Sequence, residues 1–387
     1  MALSEKIMAS VSKPIRIDRV EVFPVIYPTV MRFKFFEGPS GTGRPAVLVK
    51  ITADDGTVGW GESVPVPRWS YETLESAVST IERYLAPIII GRNPFDIKGI
   101  HDVMNREVAN SFSTGAPITK AGIDIALHDL IGKATGLNIA EFWGRKPGKE
   151  LVLSWTLNPK TLDDLEPLIE KGRERGFENF NVKVAPNPKF DIEMCKILKR
   201  LVPDGFLWAD ANGGYDLATA LAVAPKLADA GVAVLEQPLK SNRLTGYQEL
   251  KKQGALPIIM DEGVVSPTDL LEYIKLGCCD GASLKPARCG GLVSAAQQVE
   301  ILEDAGLLFL GSGLTDPDVS LAASLILYGA YGLAYPAALN GPQFLGTSVI
   351  KEPFIPKGGK VRIPQGPGLG IEIDEEKLMA LVEQSKS

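Results

Sequence analysis

Histidine is the scarcest residue type in the chain, because only His101 and His128 occur among 387 residues. A mechanism that needs several histidine ligands, or a histidine base beyond residue 128, is therefore excluded. Cysteine is also sparse, and its positions show neither CxxC spacing nor a zinc pattern: Cys195, Cys278, Cys279 and Cys289. We interpret these four residues as buried or incidental thiols in a reducing compartment.

An excess of positive charge and long apolar runs are missing as well. The formal net charge is −6 and the pI is near 5.3, which argues against a nucleic-acid partner because such proteins usually present a basic face. No apolar run reaches the roughly 18–20 residues that span a membrane, and the first residues lack the continuous apolar core of a signal peptide. We therefore expect a globular protein of the cytoplasm.

The first part of the chain has the pattern of an antiparallel sheet followed by helices. Ile15–Val25 alternates in polarity, residues 45–53 are rich in β-forming side chains, and Asp54–Thr57 predicts a hairpin turn. Helical periodicity follows over 70–143 and is clearest in TKAGIDIALHDLIGKATG, which ends in a glycine expected to cap the helix. We expect residues 1–145 to form an α+β domain of their own.

A regular alternation of short apolar strands and amphipathic helices begins near residue 150. Seven clear units predict parallel strands with right-handed crossovers, and a weaker eighth unit, AALNGPQFL, spans 337–345. An open doubly wound sheet would usually show a glycine-rich fingerprint after its first strand, and none is present. We therefore expect an α/β fold in which residues 146–350 form a (β/α)₈ TIM-type barrel. The C-terminal segment, 351–387, is expected to return to the N-terminal region and complete a capping domain.

Five charged residues occupy the same position in successive strand–helix units. They are separated by 27, 26, 25 and 24 residues along the series Lys183, Asp210, Glu236, Asp261 and Lys285. Each lies at the C-terminal end of its predicted strand, so all five are expected around the one mouth of the barrel where barrel enzymes keep their chemistry. The alternative is that the acids cap the following helices and the lysines pair with them.

The three acids of this series predict a metal site. Neighbouring carboxylates repel one another unless a cation neutralises them, and hard cations such as Mg²⁺ prefer oxygen ligands. We therefore predict that Asp210, Glu236 and Asp261 bind Mg²⁺, with Mn²⁺ as a substitute. Asn212 and Glu262 follow two of the ligands and are expected to orient them.

The two lysines of the series predict acid–base chemistry. Lys183 precedes the acids by one strand and Lys285 follows them by one strand, so they are expected to flank the metal from opposite sides. Nearby positive charge and partial burial are expected to lower the pKa of each lysine, which suits a base that removes or returns a proton. A lysine that forms a Schiff base is the alternative, and the three acids argue against it.

The sequence resembles the enolase superfamily, and within it the mandelate racemase/muconate-lactonizing family. The resemblance is carried by AGIDIALHDLIGKATGLNIAEFWG at 121–144, LWADANGGYDLATALAVAPKLADAGVAVLEQP at 207–238, DEG at 261–263 and SLKPARCGG at 283–291. It implies the same metal ligands and the same pair of lysines, and a lysine on the sixth strand implies the muconate-lactonizing subgroup. Family members usually read Lys-x-Lys at the end of the second strand. Here Asn181 replaces the first of these lysines, which helps to hold the anionic substrate.

The resemblance also implies a first chemical step, which is removal of the proton α to a substrate carboxylate through a stabilised enediolate. The segments LSWTLN and NGPQFL resemble the corresponding segments of muconate cycloisomerases, whereas GSGLTDPD, after the seventh strand, differs from the segment that those enzymes have there. A cycloisomerase-like enzyme acting on a small carboxylate is therefore expected. The alternatives are an amino-acid or dipeptide racemase or epimerase, and an acid-sugar or hydroxy-acid dehydratase. A non-catalytic barrel is a further alternative, and the five charged residues at one mouth argue against it.

Substrate specificity is expected in loops of both domains. The stretch RFKFFEGPSGTGR, residues 32–44, is expected to be a lid over the barrel mouth, with an ordinary surface loop as the alternative. The candidate substrate contacts are Phe36, Ser154, Trp155, Ser312 and Asp316. A homo-oligomer is expected, because such assemblies are common among the relatives.

Overall fold

The computed structural model describes residues 15–31, 33, 37–38 and 41–386. Its N-terminal part contains a four-stranded antiparallel sheet formed by β1 (Ile17–Pro28), β2 (Glu37–Gly38), β3 (Gly41–Ala53) and β4 (Val58–Ser63). Strand β3 pairs with each of the other three strands. The predicted turn joins β3 to β4, because Asp55 accepts a hydrogen bond from the Thr57 amide at 2.9 Å and Gly56 adopts a φ of 86°.

Helices follow this sheet, as the sequence predicts. They are α1 (Leu74–Thr80), which continues through a π-helical turn (Ile81–Leu85) into α2 (Ala86–Ile89), then α3 (Ile97–Glu107), α4 (Pro117–Thr135) and α5 (Ile139–Phe142). Helix α4 ends at the expected glycine, Gly136, whose φ is 70°. Its packing on β4 is so close that a Cβ on Gly61 would lie 2.6 Å from the backbone nitrogen of Ala126. The sheet and these helices form the N-terminal capping region.

Seven parallel strands form the main sheet, in the order in which they occur along the chain. They are β6 (Ser154–Leu157), β7 (Asn179–Lys183), β8 (Leu207–Asp210), β9 (Val234–Glu236), β10 (Ile258–Met260), β11 (Gly281–Leu284) and β12 (Leu308–Gly311). One helix follows each strand: α6 (Leu165–Arg173), α7 (Pro188–Leu201), α8 (Leu217–Asp229), α9 (Leu244–Gln253), α10 (Pro267–Lys275), α11 (Leu292–Asp304) and α12 (Asp318–Ala330). This alternation confirms the predicted barrel architecture.

The eighth strand of the barrel is only two residues long. Ala337 forms a parallel bridge with Leu153, beside β6, and Ala338 forms one with Ser312, beside β12. The amide of Ala338 donates to the carbonyl of Gly311 at 2.9 Å, and the Ser154 amide donates to the carbonyl of Ala337 at 2.9 Å. The sheet is therefore closed, although the predicted eighth unit (337–345) turns into a short helix, α13 (Gly341–Phe344), soon after these bridges.

The C-terminal segment runs back along both parts of the molecule. Strand β13 (Lys360–Arg362) pairs antiparallel with β5 (Glu150–Val152), which precedes the barrel. The last helix, α14 (Glu375–Gln384), packs against the N-terminal sheet, where Ser385 accepts a hydrogen bond of 2.7 Å from the Ile26 amide. None of the helices in the described part of the chain is both long and apolar enough to cross a membrane.

Candidate active site

The strand pattern brings the five charged residues of the series to one mouth of the barrel. Lys183, Asp210 and Glu236 are the last residues of β7, β8 and β9, while Asp261 and Lys285 directly follow β10 and β11. Side chains two residues apart on a strand point to the same face. The buried side chains of Trp208, Val234 and Ile259 form a cluster that fills the interior below the three acids. The charged groups therefore lie on top of a packed hydrophobic layer.

The three acids are close together and buried. A carboxylate oxygen from each lies within 4.8 Å of one from each of the others, and none of Asp210, Glu236 and Asp261 is more than 1% exposed. Burial and repulsion from the two aspartates raise the pKa of Glu236 well above its ordinary value. The Oε1 atom of Glu236 has no hydrogen-bond partner in the described structure. Such a set of oxygens fits a divalent cation.

The two lysines contact opposite ends of this row of acids. Lys183 Nζ donates to Asp210 Oδ2, and Lys285 Nζ donates to Asp261 Oδ2 at 2.5 Å. The Lys285 ammonium also lies 4.7 Å from the centre of the Trp69 ring, which provides a cation–π contact. Both lysines are thus held in place, one at each end of the row of acids.

The pKa of Lys183 is set here by the charges of the surrounding protein residues, whereas the expectation of a lowered value was made for a lysine beside a bound cation. Burial lowers the pKa of this lysine, but the attraction of Asp210, Glu236 and Asp261 outweighs burial, and the net pKa is raised. The expectation assumed that positive charge would be the nearest influence. In this structure the nearest charges are carboxylates.

Asn212 contacts both Asp210 and Glu262 beside the row of acids. The Asn212 backbone amide donates to Asp210 Oδ1 at 2.8 Å, and its side-chain Nδ2 donates to Asp210 Oδ2 at 3.1 Å and to Glu262 Oε1 at 3.3 Å. Burial, together with repulsion from Asp261 and Asp210, raises the pKa of Glu262 to about 8. Asn212 therefore ties the first and third strands of the acid row together and fixes the orientation of Asp210.

Two further residues hold Asp261, and the spacing argument missed both. Arg288 Nη1 donates to Asp261 Oδ1, so both oxygens of this carboxylate are paired. Gln237 Oε1 accepts the backbone amides of Asp261 at 2.8 Å and of Gly263 at 3.2 Å. Gln237 stands directly after Glu236, but its side chain acts on the next strand, which no pattern along the chain reveals.

A small cavity opens beside the lysines. Its lining includes Lys183, Lys285, Asn181 and Asn212 from the strand ends, together with Trp69 from the capping region. Two further predictions concern this cavity. Ser312 lines it, and the stretch predicted as a lid contributes Phe33. The ring centre of Phe33 is 4.8 Å from that of Phe344 near the barrel mouth. Phe36 and most of the other residues between 32 and 40 lie outside the described residues.

Ser154, Trp155 and Asp316 are not among the described residues that line this cavity. Side chains alternate along β6, so Trp155 points outward and its ring packs 5.0 Å from that of Phe177. Ser154 is buried lower in the barrel, where its hydroxyl lies 3.4 Å from the Ala337 carbonyl oxygen. Asp316 turns back into its own loop and accepts a hydrogen bond of 3.1 Å from the Leu314 amide. Their role as substrate contacts stays a prediction that the lining of this cavity does not support.

A closed parallel barrel with acids and lysines at the carboxyl ends of its strands has the architecture of a barrel enzyme. Comparison with known proteins defines the class further. Residues 25–144 match the model of the mandelate racemase/muconate lactonizing enzyme N-terminal domain, and residues 164–377 match that of the enolase C-terminal domain-like family. The chain belongs to the mandelate racemase/muconate-lactonizing family of the enolase superfamily.

The relatives identify the type within this family. Muconate cycloisomerase 1 of Rhodococcus opacus is 31% identical over 361 residues, which are 92% of this chain and 95% of the relative. The N-succinyl-L-Arg/Lys racemase of Bacillus cereus is 27% identical over 375 residues, or 95% and 98% of the two chains. The crystal structure of 2-chloromuconate cycloisomerase from Rhodococcus opacus 1CP superposes with a TM-score of 0.87 at 28% identity, covering 95% of this chain and 99% of that one. The protein is thus a muconate cycloisomerase-like enzyme.

Proposed function

We propose that the enzyme removes the proton α to the carboxylate of a small substrate, with Mg²⁺ as cofactor. The observation that carries the proposal is the row of three buried acids, Asp210, Glu236 and Asp261, whose oxygens lie within 4.8 Å of one another between two lysines. These acids would hold Mg²⁺, or Mn²⁺ in its place, as ligands. When bound, the ion would supply the positive charge that stabilises negative charge developing on the substrate carboxylate.

The protein residues around the ligands have positioning roles. Asn212 holds Asp210 through two hydrogen bonds, and Gln237 holds the backbone of Asp261. Arg288 neutralises part of the charge on Asp261. These contacts restrict the motion of the ligand oxygens, so that little reorganisation accompanies the binding of cation or substrate.

The proton transfers are assigned to Lys183 and Lys285. A cation bound among the acids would offset the attraction that now raises the pKa of Lys183, and thereby favour the neutral amine that a base requires. Because the two lysines contact opposite ends of the acid row, we infer that they face opposite sides of the α-carbon. One lysine would then take the proton, and the other would deliver a proton to the opposite face.

Two outcomes of this step remain in competition. A cycloisomerase, the activity in the names of the muconate and chloromuconate relatives, would close or open a ring after the proton transfer. A racemase would return the proton on the opposite face. The pair of lysines and the racemase relative are the reasons for keeping this second candidate beside the cycloisomerase. The dehydratase alternative, the cytoplasmic location and the homo-oligomeric state stay predictions.

One experiment tests the shared step and separates the outcomes. The Mg²⁺-loaded enzyme is incubated in D₂O with cis,cis-muconate, muconolactone and N-succinyl-L-arginine, and products are followed by NMR. Deuterium is expected next to a carboxylate, accompanied either by lactone interconversion or by loss of optical activity. The Lys183→Ala, Lys285→Ala double variant is the control and should show neither change. Exchange at the same rate in the double variant would refute the assignment of the lysines.

A further inference from the structure

Arg44 is a fully buried arginine of β3, and its guanidinium donates hydrogen bonds to backbone carbonyls of three segments. Nε donates to Leu314 at 2.8 Å, and Nη2 donates to Val64 at 2.8 Å. Nη1 donates to Pro65 and to Pro45, in each case at 2.7 Å. One side chain therefore ties the segment that follows β4 in the capping region to the loop that follows β12 in the barrel.

The two segments that Arg44 joins both contribute to the cavity beside the lysines. Residues 312–315 line it from the loop after β12, and Val66 and Trp69 line it from the capping region. Pro65, whose carbonyl accepts from Arg44, directly precedes Val66. Arg44 thus connects two parts of the cavity wall that belong to different domains.

Thr315 has a backbone conformation that a β-branched residue rarely adopts, with a φ of 54°. Such a conformation is strained and persists where the surrounding contacts hold it. The Leu314 carbonyl belongs to the peptide group before Thr315, so the direction of this carbonyl and the φ of Thr315 change together. Arg44 Nε holds the carbonyl, while Asp316 Oδ1 accepts the Leu314 amide at 3.1 Å. Both backbone groups of Leu314 are therefore fixed.

These contacts require an arginine. A guanidinium carries five N–H donors in one rigid plane, whereas a lysine carries a single nitrogen and cannot reach the carbonyls of Leu314 and Val64 together. Burial lowers the pKa of Arg44 to about 10, and the attraction of Asp316 and Glu62 acts in the opposite direction. The side chain is therefore charged at neutral pH, which strengthens its hydrogen bonds.

We propose that Arg44 is a positioning residue of the active site, which holds Thr315 in the left-handed conformation and thereby sets the shape of the wall formed by residues 312–315. The inference rests on the proposed function for the use of the cavity. Loss of the guanidinium should let this part of the wall relax, while the acids and lysines at the ends of the other strands stay in place. Substrate binding should then suffer more than proton transfer.

Amide hydrogen exchange followed by mass spectrometry tests the contact without any substrate. In Arg44→Lys, the amides of residues 312–319 are expected to exchange about tenfold faster than in the wild type, which corresponds to about one lost hydrogen bond. Arg16→Lys is the matched control, because the exposed Arg16 also donates to a backbone carbonyl, that of Gly91, at 2.8 Å and does not line the cavity. Unchanged exchange at 312–319, or equally faster exchange throughout the barrel, overturns the proposal.

A second substitution tests the role of Thr315. Glycine adopts a positive φ without the strain of a side chain, so Thr315→Gly in the Arg44→Lys background is expected to slow the exchange of residues 312–319 again by about threefold. Thr315→Ala keeps the strain and should give no such recovery. An equal effect of the two substitutions refutes the link between Arg44 and the backbone of Thr315.

Kinetics separate a positioning role from a purely structural one. For each of cis,cis-muconate, muconolactone and N-succinyl-L-arginine that the Mg²⁺-loaded wild type converts, Arg44→Lys should raise KM by about tenfold and change kcat by less than about threefold. Deuterium incorporation next to the carboxylate at saturation should likewise persist. An unchanged KM in the folded variant overturns the positioning role.

Failure of this inference is distinguishable from failure of the proposed function. If the wild type acts on none of the three probes, the proposed function loses its support, and hydrogen exchange still decides the role of Arg44. If Arg44→Lys does not fold, the shorter and uncharged Arg44→Gln takes its place. Failure of both variants to fold overturns the proposal, because Arg44 would then be required by the whole fold and not by one part of the cavity wall.

Discussion

Glu62 is a buried acid at the junction between the capping region and the barrel. From its titration we predict how the free energy of unfolding changes with pH. It lies at the end of β4, is fully buried, and accepts hydrogen bonds from the Ser320 amide at 2.9 Å, the Ser320 hydroxyl at 3.1 Å and the Val319 amide at 3.2 Å. These donors belong to the first turn of α12. Its other oxygen accepts the Tyr27 hydroxyl at 3.1 Å.

The pKa of Glu62 is raised from 4.5 to about 7. Burial is the largest cause, and repulsion from Asp318 adds to it, while the hydrogen bonds from Ser320 and Tyr27 act in the opposite direction. Because the folded state keeps a proton that the unfolded state releases, stability from this group is fully present below pH 4.5 and is lost as the pH rises through 7. A difference of about 2.5 in pKa corresponds to about 3 kcal/mol.

The substitution Glu62→Gln removes this titration and keeps the shape of the side chain. Its amide oxygen can accept the three bonds from α12, and its NH₂ group can donate to Tyr27 if the hydroxyl rotates. The free energy of unfolding of the variant, minus that of the wild type, is therefore expected to increase by about 3 kcal/mol between pH 4.5 and 7.5. The pKa of Asp318 is itself raised to about 6. Because Asp318 is present in both proteins, its titration contributes to both free energies of unfolding and largely cancels in their difference.

Urea denaturation followed by circular dichroism, at several pH values between 4.5 and 7.5, measures this difference. Glu75→Gln is the matched control, because it removes the same charge from an exposed position in the first turn of α1, and its difference should stay nearly constant. If the Glu62→Gln difference is also constant over this range, the carboxylate does not titrate as the burial argument requires, and the reasoning is refuted.

Three further predictions concern the site and the packing around it. Removal of divalent ions with EDTA should abolish activity, and Mg²⁺ should restore it; full activity of the metal-free enzyme would contradict the metal site. Glu236→Gln should weaken Mg²⁺ binding in calorimetry without altering the circular dichroism spectrum. Lys183→Ala and Lys285→Ala should each lower turnover by about 10²–10⁴-fold, yet each should still exchange the α-proton that faces the remaining lysine, as NMR in D₂O would show. Gly61→Ala should lower the free energy of unfolding by about 3 kcal/mol in urea titrations, because its Cβ would overlap helix α4.

The barrel and the positions of the charged residues were predictable for a physical reason. A strand end recurs once in every strand–helix unit, and closure of the sheet brings all of these ends to one mouth. Regular spacing from Lys183 to Lys285 therefore translates directly into proximity. The proximity of Asn212 and Glu262 to the acids was predictable as well, since each lies within two residues of an acid of the row.

The wall of the cavity was predictable only in part. Along β6, the sequence does not state which side chains point inward, so Trp155 was predicted at the cavity although its ring packs outward against Phe177. Asp316 was predicted as a contact because it follows the seventh strand, but its carboxylate is used by the Leu314 amide of its own loop. Phe33 and Trp69 come from the capping region, and no periodicity connects them to the barrel.

The sequence by itself determined the order of strands and helices, the family and the row of acids between two lysines, because these depend on local pattern and on spacing. Only the tertiary structure decided the electrostatics and the unsatisfied groups of the site. The pKa of Lys183 rises because three carboxylates from other strands surround it. Glu236 Oε1, without a hydrogen-bond partner in the described structure, comes close to the two aspartates only when the strand ends meet at one mouth. Distances between separate strands set both properties, and distance is what a linear sequence does not contain.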